Sequence, residues 1–196
     1  RFLKRLKFAA WSLVNLLQNN AWQVAATELP LEGKFATIQL NARADLVLAR
    51  ELEQTVLDLK WRGGLRRELM IKNEEDLQLA LYAHLLPLST EQVHTAYFIM
   101  ENGRLIARDR SAFKDITPIS PEVNPIEVRK RILQKMEATL HWRLAQIRRG
   151  EVEIRCTATI AHLEEQYAED DLLAFLELKR EDAPFDDYRT LINLVK

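Results

Sequence analysis

Two acids and a lysine interrupt apolar stretches of this chain where strand patterns are expected. Asp45 lies within residues 41–48, and Asp58 and Lys60 lie within residues 55–60. Charged side chains are costly to bury unless they have a partner, a metal ion or a chemical role. Two facing carboxylates could hold Mg²⁺, with the Leu59 carbonyl as a further oxygen. Such an ion activates water and holds a phosphodiester, while the lysine orients that water or neutralises charge.

The strands that carry these residues can be aligned from their patterns. In residues 35–49 the even positions 36–48 are apolar and the odd positions 37–45 are polar, which predicts a strand with Asp45 on its polar face. Residues 55–61 form the next strand, where Asp58 and Lys60 share a face. A four-residue loop at 50–53 would place Asp45 opposite Asp58, with Cβ atoms roughly 4.5–5.5 Å apart. If the register between the strands shifts by two residues, both acids stay on one face of the sheet. A shift by one residue places them on opposite faces.

The acid-x-lysine triplet alone is a weak signal because it occurs three times, at residues 32–34, 58–60 and 177–179. The first is expected on a turn and the third on a helix, where such charges are ordinarily solvated. The second lies in a strand whose neighbour presents another acid. The alternative for Asp58 and Lys60 is an ion pair on an edge strand, which would stabilise the fold by about 0–1 kcal/mol.

Basic residues follow the second strand and form a candidate DNA-binding surface. The expected flexible loop around Gly63 and Gly64 would suit a phosphate backbone, although a solvated loop is the alternative for each residue taken singly. The DNA-binding candidates are Arg62, Arg66, Arg67 and, on the first strand, Arg43, with Lys60 and Lys72 adding charge to the loop.

A helix is expected from an N-cap at Asn73 to residue 86, because acids fill residues 74–76 and a proline follows. Gln78 and Tyr82 share one face of this helix. They are either a hydrogen-bonded pair over the site or ordinary core packing. Glu28, on the preceding strand, is either a third acid near the metal or a solvent-facing residue.

The remaining elements are placed by periodicity and by glycine and proline. We expect a helix over 1–20, a strand over 22–31, a turn at 32–33, a hairpin of 93–100 with 105–108 around Asn102 and Gly103, a loop over 111–124, a helix over 125–149 closed by Gly150, a helical stretch near 172–178, a turn at Pro184 and a last segment to Lys196.

Composition limits the class of protein. The chain has 196 residues, 47% hydrophobic and 29% charged, with a net charge of −1, so we expect one soluble domain and only local DNA contacts. One cysteine, Cys156, excludes a disulfide framework and an all-cysteine cluster within this chain. No membrane span or signal peptide is evident, which indicates a cytoplasmic location. The chain begins at Arg1 inside a helical pattern, so we expect it to be cut from a longer protein.

Asp45, the triplet at 58–60 and the pair Gln78 and Tyr82 together resemble the PD-(D/E)XK nuclease superfamily. The likeness is to its RecB-like branch, whose pattern is G-x-x-D, D-x-K and Q-x-x-x-Y. The order of elements over residues 1–110 is also similar. The resemblance implies a restriction-endonuclease-like α/β fold, in which helices flank a mixed central sheet. A single domain over 1–196 would then have a motif core at 1–110 and a helical tail at 111–196.

The resemblance also implies an activity, namely Mg²⁺- or Mn²⁺-dependent cleavage of DNA in repair or recombination, by exonuclease rather than endonuclease action. Asp45 and Asp58 would be metal ligands, Lys60 the catalytic lysine, and Gln78 and Tyr82 a supporting pair. DNA and an upstream or helicase-like domain are the implied partners, with no membrane. An iron–sulfur cluster is not expected, because Cys156 alone cannot build the four-cysteine cluster of some relatives.

The chain departs from the family pattern in three places. Ala42 stands where glycine is usual, and Leu46 where arginine is frequent. Residues 1–20 lack the histidine or glutamate that often adds a metal ligand, which would then lie upstream. This last departure favours an alternative, a catalytically inactive nuclease-like module that binds DNA or serves as a scaffold. The intact acids and lysine oppose that alternative.

Overall fold

The computed structural model describes residues 2–86 and 92–150, together with Glu165. The chain divides into two compact units, Arg1–Gln134 and Lys135–Lys196. The first unit contains the sheet and most of the helices. Its elements are α1 (Phe2–Asn19), β1 (Gln23–Phe35), β2 (Ile38–Arg50), β3 (Glu53–Lys60), α2 (Gly64–Lys72), α3 (Leu77–Leu85), β4 (Gln92–Ile99), β5 (Arg104–Ala107) and the beginning of α4 (Pro125–Arg148). The described part of the second unit is the remainder of α4, the turn that ends it and Glu165.

The five strands form one mixed sheet in the order β1-β2-β3-β4-β5. β3 and β4 are parallel, and the other neighbouring pairs are antiparallel. A parallel pair needs a crossover, which α2 and α3 provide. The prediction of a restriction-endonuclease-like α/β fold is thus confirmed, and β3 lies at the centre of the sheet.

Helices cover both faces of this sheet. On one face, Ala9 and Leu17 of α1 share an apolar cluster with Phe98 of β4. On the other, Ile71 of α2 and Leu79 of α3 share a cluster with Tyr97. Since successive strand residues point to opposite faces, Tyr97 and Phe98 separate the two layers.

β1 and β2 continue beyond the sheet as a two-stranded ribbon. β2 pairs with β3 only from Leu46 to Arg50, so its earlier residues pair with β1 alone. Ala44 and Val47 both belong to the cluster under α3, although they are three residues apart. In a regular strand, residues three apart point to opposite faces of the sheet. The alternation of β2 is therefore interrupted between these two residues, next to Asp45. Opposite Asp45 in the register lies Glu28, whose φ is 50°.

Two turn predictions were wrong in length or place. The loop between β2 and β3 has two residues, at 51–52, because Arg50 already pairs with Glu53. The predicted register is nevertheless confirmed, since Ala49 pairs with Gln54. The turn predicted at 32–33 lies at Ala36 instead, which has a φ of 51°, because the ribbon pairing continues to Phe35 and Ile38.

The basic segment after β3 is a helix, so the prediction of a flexible loop was wrong. Gly63, with a φ of 95°, reverses the chain, and α2 follows at once. Most of its residues are good helix formers, which outweigh the glycine before them. Asn73 is consequently the C-cap of α2 and not an N-cap, and α3 begins later, at Leu77 after Asp76.

Other predicted elements are confirmed with small shifts of boundary. These are α1, the β4–β5 hairpin with Gly103 at a φ of 63°, the loop before α4, and α4 itself, which is followed by Gly150 at a φ of 76°. The loop at 108–124 is anchored, because Phe113 is buried and the Trp22 indole N–H donates to the Ala112 carbonyl (2.8 Å). The helical stretch near 172–178, the turn at Pro184 and the last segment lie outside the described residues. No helix in the described part of the chain is both long and apolar enough to cross a membrane.

Candidate active site

Asp45 and Asp58 meet where β2 separates from β3. The last paired residues of this ladder are Leu46 and Leu57, so the next position places the two acids opposite each other. There the Leu59 backbone N–H donates to Oδ2 of Asp45 (2.7 Å). The carboxylate thus takes the place of a β2 carbonyl at the end of the ladder. This bond fixes one oxygen of Asp45.

Asp58 is a fully buried carboxylate with incomplete compensation. Nζ of Lys60 lies 2.8 Å from its Oδ2, and its Oδ1 has no hydrogen-bond partner among the described residues. Burial raises the pKa of Asp58, the Lys60 ammonium opposes this, and the charge of Asp45 raises it further. The interpretation as an edge-strand ion pair is wrong, because β3 is central and the Asp58 side chain is 0% exposed.

The carbonyl of Leu59 points towards Asp45. The N–H of Met100 donates to the Lys60 carbonyl (2.8 Å), so the Lys60 backbone faces β4. Adjacent residues of a strand direct their backbone groups to opposite sides, and the N–H of Leu59 is already bound on the β2 side. The Leu59 carbonyl therefore lies on the same side as the Asp45 carboxylate.

These oxygens fit a lightly liganded magnesium ion. Across the described ranges no cluster of three acidic, histidine or cysteine residues could hold a metal. Mg²⁺ does not require one, because it keeps several waters and commonly takes one or two carboxylates plus substrate phosphate. Oδ1 of Asp58, which has no partner among the described residues, is the oxygen that such an ion would bind.

Gln78 and Tyr82 lie together on α3, and both interpretations of the pair hold. The Gln78 side-chain amide donates to the Tyr82 hydroxyl (2.7 Å), while the ring packs in the cluster under α3. The pKa of Tyr82 is raised by burial and by the charges of Asp58, Asp45 and Glu28, and the bond from Gln78 opposes the shift. The hydroxyl is therefore within electrostatic reach of all three acids.

Glu28 lies opposite Asp45 in the β1–β2 pairing, but its side chain points to solvent. Its side chain is 64% exposed, and its Oε2 is 3.9 Å from Nη1 of Arg43. The exposure agrees with a solvent-facing residue. A positive φ at a residue other than glycine costs about 1–2 kcal/mol, so the kink beside Asp45 is retained against a local cost.

The basic candidates fall into two groups. Arg43, Arg62 and Arg66 are exposed, whereas Arg67 is half-buried. The guanidinium carbon of Arg67 lies 5.3 Å from the ring centroid of Tyr97, and its Nη1 donates to the sulfur of Met70 (3.0 Å).

Tyr97 was missed from the sequence. It pairs with Asp58 in the parallel ladder and is fully buried, and its hydroxyl has no hydrogen-bond partner among the described residues. Burial raises its pKa, as do the charges of Asp76 and Asp58. No local pattern could have indicated this residue, because the pairing joins segments that lie far apart in the chain.

A family model for the PD-(D/E)XK nuclease superfamily matches residues 1–159, and the chain belongs to this superfamily. A crystal structure of a Eubacterium rectale protein named "Putative exonuclease" is similar, at 14% identity and a TM-score of 0.45. The likeness covers 94% of this chain and 62% of that one, so the chain spans less than two thirds of that protein's length. A search of curated proteins gives no match.

Proposed function

We propose that this chain is the nuclease domain of a metal-dependent deoxyribonuclease that hydrolyses phosphodiester bonds. The observation that carries the proposal is the buried carboxylate of Asp58, which faces Asp45 beside Lys60 and whose Oδ1 has no partner among the described residues. A buried charge without full compensation destabilises a fold, so its retention indicates a ligand that compensates it. Membership of the superfamily supports the same chemistry.

The acids, the Leu59 backbone and Lys60 would have different roles in this reaction. Asp45, Asp58 and the Leu59 carbonyl would hold Mg²⁺ or Mn²⁺, which supplies a water of lowered pKa and positive charge for the phosphate. The Leu59 N–H fixes Oδ2 of Asp45 and leaves its other oxygen available. Lys60 neutralises Asp58 at rest. With a cation held by Asp58, the Lys60 ammonium would be available to orient the attacking water or to stabilise charge on the phosphate.

Assignment to the RecB-like branch, and so to repair or recombination, is part of this proposal. The hydrogen bond between Gln78 and Tyr82 supports it, because α3 presents that pair to the acids. The exposed arginines Arg43, Arg62 and Arg66 would contact phosphates along the strand. Degradation from DNA ends is proposed over internal cleavage.

The test is cleavage of end-labelled linear and of circular DNA, single- and double-stranded, with Mg²⁺ or Mn²⁺. Asp58→Asn and Lys60→Met are expected to lose at least about 10²-fold in rate, as expected for removal of a transition-state contact. Lys34→Met is the matched control, because Lys34 belongs to the other acid-x-lysine triplet of the described residues and is exposed. Full activity in both site variants would overturn the proposal. Cleavage of circular DNA would overturn end-dependence.

One observation favours the inactive module instead. The site offers two acidic groups where a three-ligand set is absent from the described residues. Titration with Mn²⁺, followed by paramagnetic resonance, separates the two functions. A nuclease binds the ion in the wild type and loses it in Asp58→Asn. DNA binding without metal binding or cleavage would establish the module.

A further inference from the structure

Arg67 has no acidic ion-pair partner among the described residues, although its charge acts on an acid of the site. Six other arginines of the described chain form salt bridges, namely Arg5, Arg43, Arg50, Arg104, Arg108 and Arg131. Arg67 forms none with the described residues, and its Nε is buried without a hydrogen-bond acceptor there. Its charge nevertheless acts on Asp58. A guanidinium that forms no ion pair within the described residues, and whose charge acts on a candidate metal ligand, indicates that an anion completes its environment.

Tyr97 fixes the position of that guanidinium. In the β3–β4 ladder it lies directly beside Asp58, and neighbouring strands are about 4.8 Å apart. Its side chain therefore shares a face with the carboxylate, and Arg67 lies over its ring. The aromatic face attracts the cation without satisfying its N–H donors. Nη1 already donates to the sulfur of Met70, so an incoming phosphate would take the remaining N–H groups.

We infer that Arg67 binds the reacting phosphate from within the site and that Tyr97 is its positioning residue. This inference rests on the proposed nuclease function. It separates Arg67 from Arg62 and Arg66, which are exposed and would contact phosphates further along the DNA. The guanidinium donates to a non-bridging oxygen of that phosphate, and a planar fork suits the contact.

The kinetic test compares three arginines in single-turnover reactions. Arg67→Met should lower the rate at saturating DNA by about 10²-fold and raise KM by a few-fold only. Arg67→Lys should recover part of that loss, because it keeps the charge without the fork. Arg66→Met should instead raise KM and reduce the salt slope of binding by about 1. Arg131→Met removes an exposed arginine paired with Glu74 and should match the wild type.

A binding test excludes a purely structural role for Arg67. The cleaved position is mapped first, and DNA with a neutral methylphosphonate at that position is compared with ordinary DNA. In a Lys60→Met background, Arg67→Met should weaken binding of ordinary DNA several-fold and leave binding of the methylphosphonate DNA unchanged. Equal weakening on both substrates overturns the inference. Tyr97→Leu should reproduce the kinetic loss, and Arg67→Met should add little to it.

The two proposals fail in different ways. Absence of cleavage by the wild type overturns the proposed function. Cleavage that Asp58→Asn abolishes but Arg67→Met leaves at the wild-type rate overturns this inference alone. Circular dichroism and thermal unfolding verify that each variant is folded. If Arg67→Met does not fold, the test is carried out with Arg67→Lys.

Discussion

At the scale of single residues, Asp58 shows the conflict between stability and binding. Its carboxylate is buried in the central strand, and Lys60 is its one ion-pair partner among the described residues. Burial dominates the rise in its pKa, so the surroundings disfavour the charged form. Sites that bind cations often retain such a cost, because function needs the uncompensated charge.

Replacement of Asp58 should therefore stabilise the protein while it removes activity. Asp58→Asn keeps the shape and eliminates the buried charge, and Lys60, whose side chain is 26% exposed, can be hydrated instead, so the metal-free protein should gain about 1 kcal/mol. For a chain of this size that corresponds to a rise of about 2–4 °C in Tm. Thermal unfolding in EDTA measures it, and Lys34→Met is the control. A clear fall in Tm would contradict the account.

Metal affinity should depend on pH through the same carboxylate. Bound metal requires the ionised acid, and the raised pKa of Asp58 brings protonation nearer to neutral pH. Affinity should be constant above that pKa and fall by about tenfold per pH unit below it. The folding stability of the metal-free protein should depend on pH in the opposite direction. An acid whose pKa is raised by folding contributes stability at low pH, and this stability is lost as pH rises through the pKa of the folded state. Calorimetric Mn²⁺ titration between pH 5 and 8 measures the first effect, and affinity independent of pH would refute it.

At the scale of elements, a buried ion pair ties the crossover to the sheet. Arg108 follows β5, and its Nη2 lies 2.7 Å from Oδ1 of Asp76 at the start of α3. Its Nη1 donates to the Ile71 carbonyl in α2 (2.8 Å). One side chain thus holds the end of α2 and the beginning of α3, the helix that carries Tyr82.

Loss of Arg108 should be strongly destabilising. Arg108→Met leaves Asp76 buried without its cation, which should cost about 3–5 kcal/mol. The double variant Asp76→Asn/Arg108→Met should cost less, since it leaves no unpaired charge. Burial also raises the pKa of Asp76, so the loss in Arg108→Met should diminish as pH falls and the acid is protonated. Urea unfolding at two pH values tests this, and additive effects of the two substitutions would disprove the coupling.

At the scale of the whole molecule, local sequence patterns predicted the strand pairings between segments that are close in the chain. The predicted pairing of Ala49 with Gln54 is confirmed, and it places the acids opposite each other. The unbroken alternation predicted for residues 35–49 is wrong, because Ala44 and Leu46 belong to clusters on opposite faces of the sheet. The parallel pairing of β3 with β4 could not be predicted, because it joins distant segments, and Tyr97 was missed for that reason. The glycines before α2 suggested a loop, although Gly63 is only the turn that precedes a helix.

The near-neutral net charge of the chain predicts a modest salt dependence of DNA binding. With a charge of −1, association depends on local arginines and not on a global field. Four candidate contacts, at Arg43, Arg62, Arg66 and Arg67, correspond to a slope of log K against log salt of about −3.6 at most. Fluorescence anisotropy in Ca²⁺ from 50 to 300 mM salt measures it. A slope near −8 would show that basic residues elsewhere dominate.

The short turn between β2 and β3 also sets an order of folding. It makes the meeting of Asp45 and Asp58 a local event, whereas β4 must arrive after two helices. Contacts between near segments form before distant ones, because closing a short loop costs less entropy. The acids thus face each other in an early hairpin, while water still solvates both. Divalent cations present during refolding should therefore accelerate the step in which α2, α3 and β4 cover Asp58.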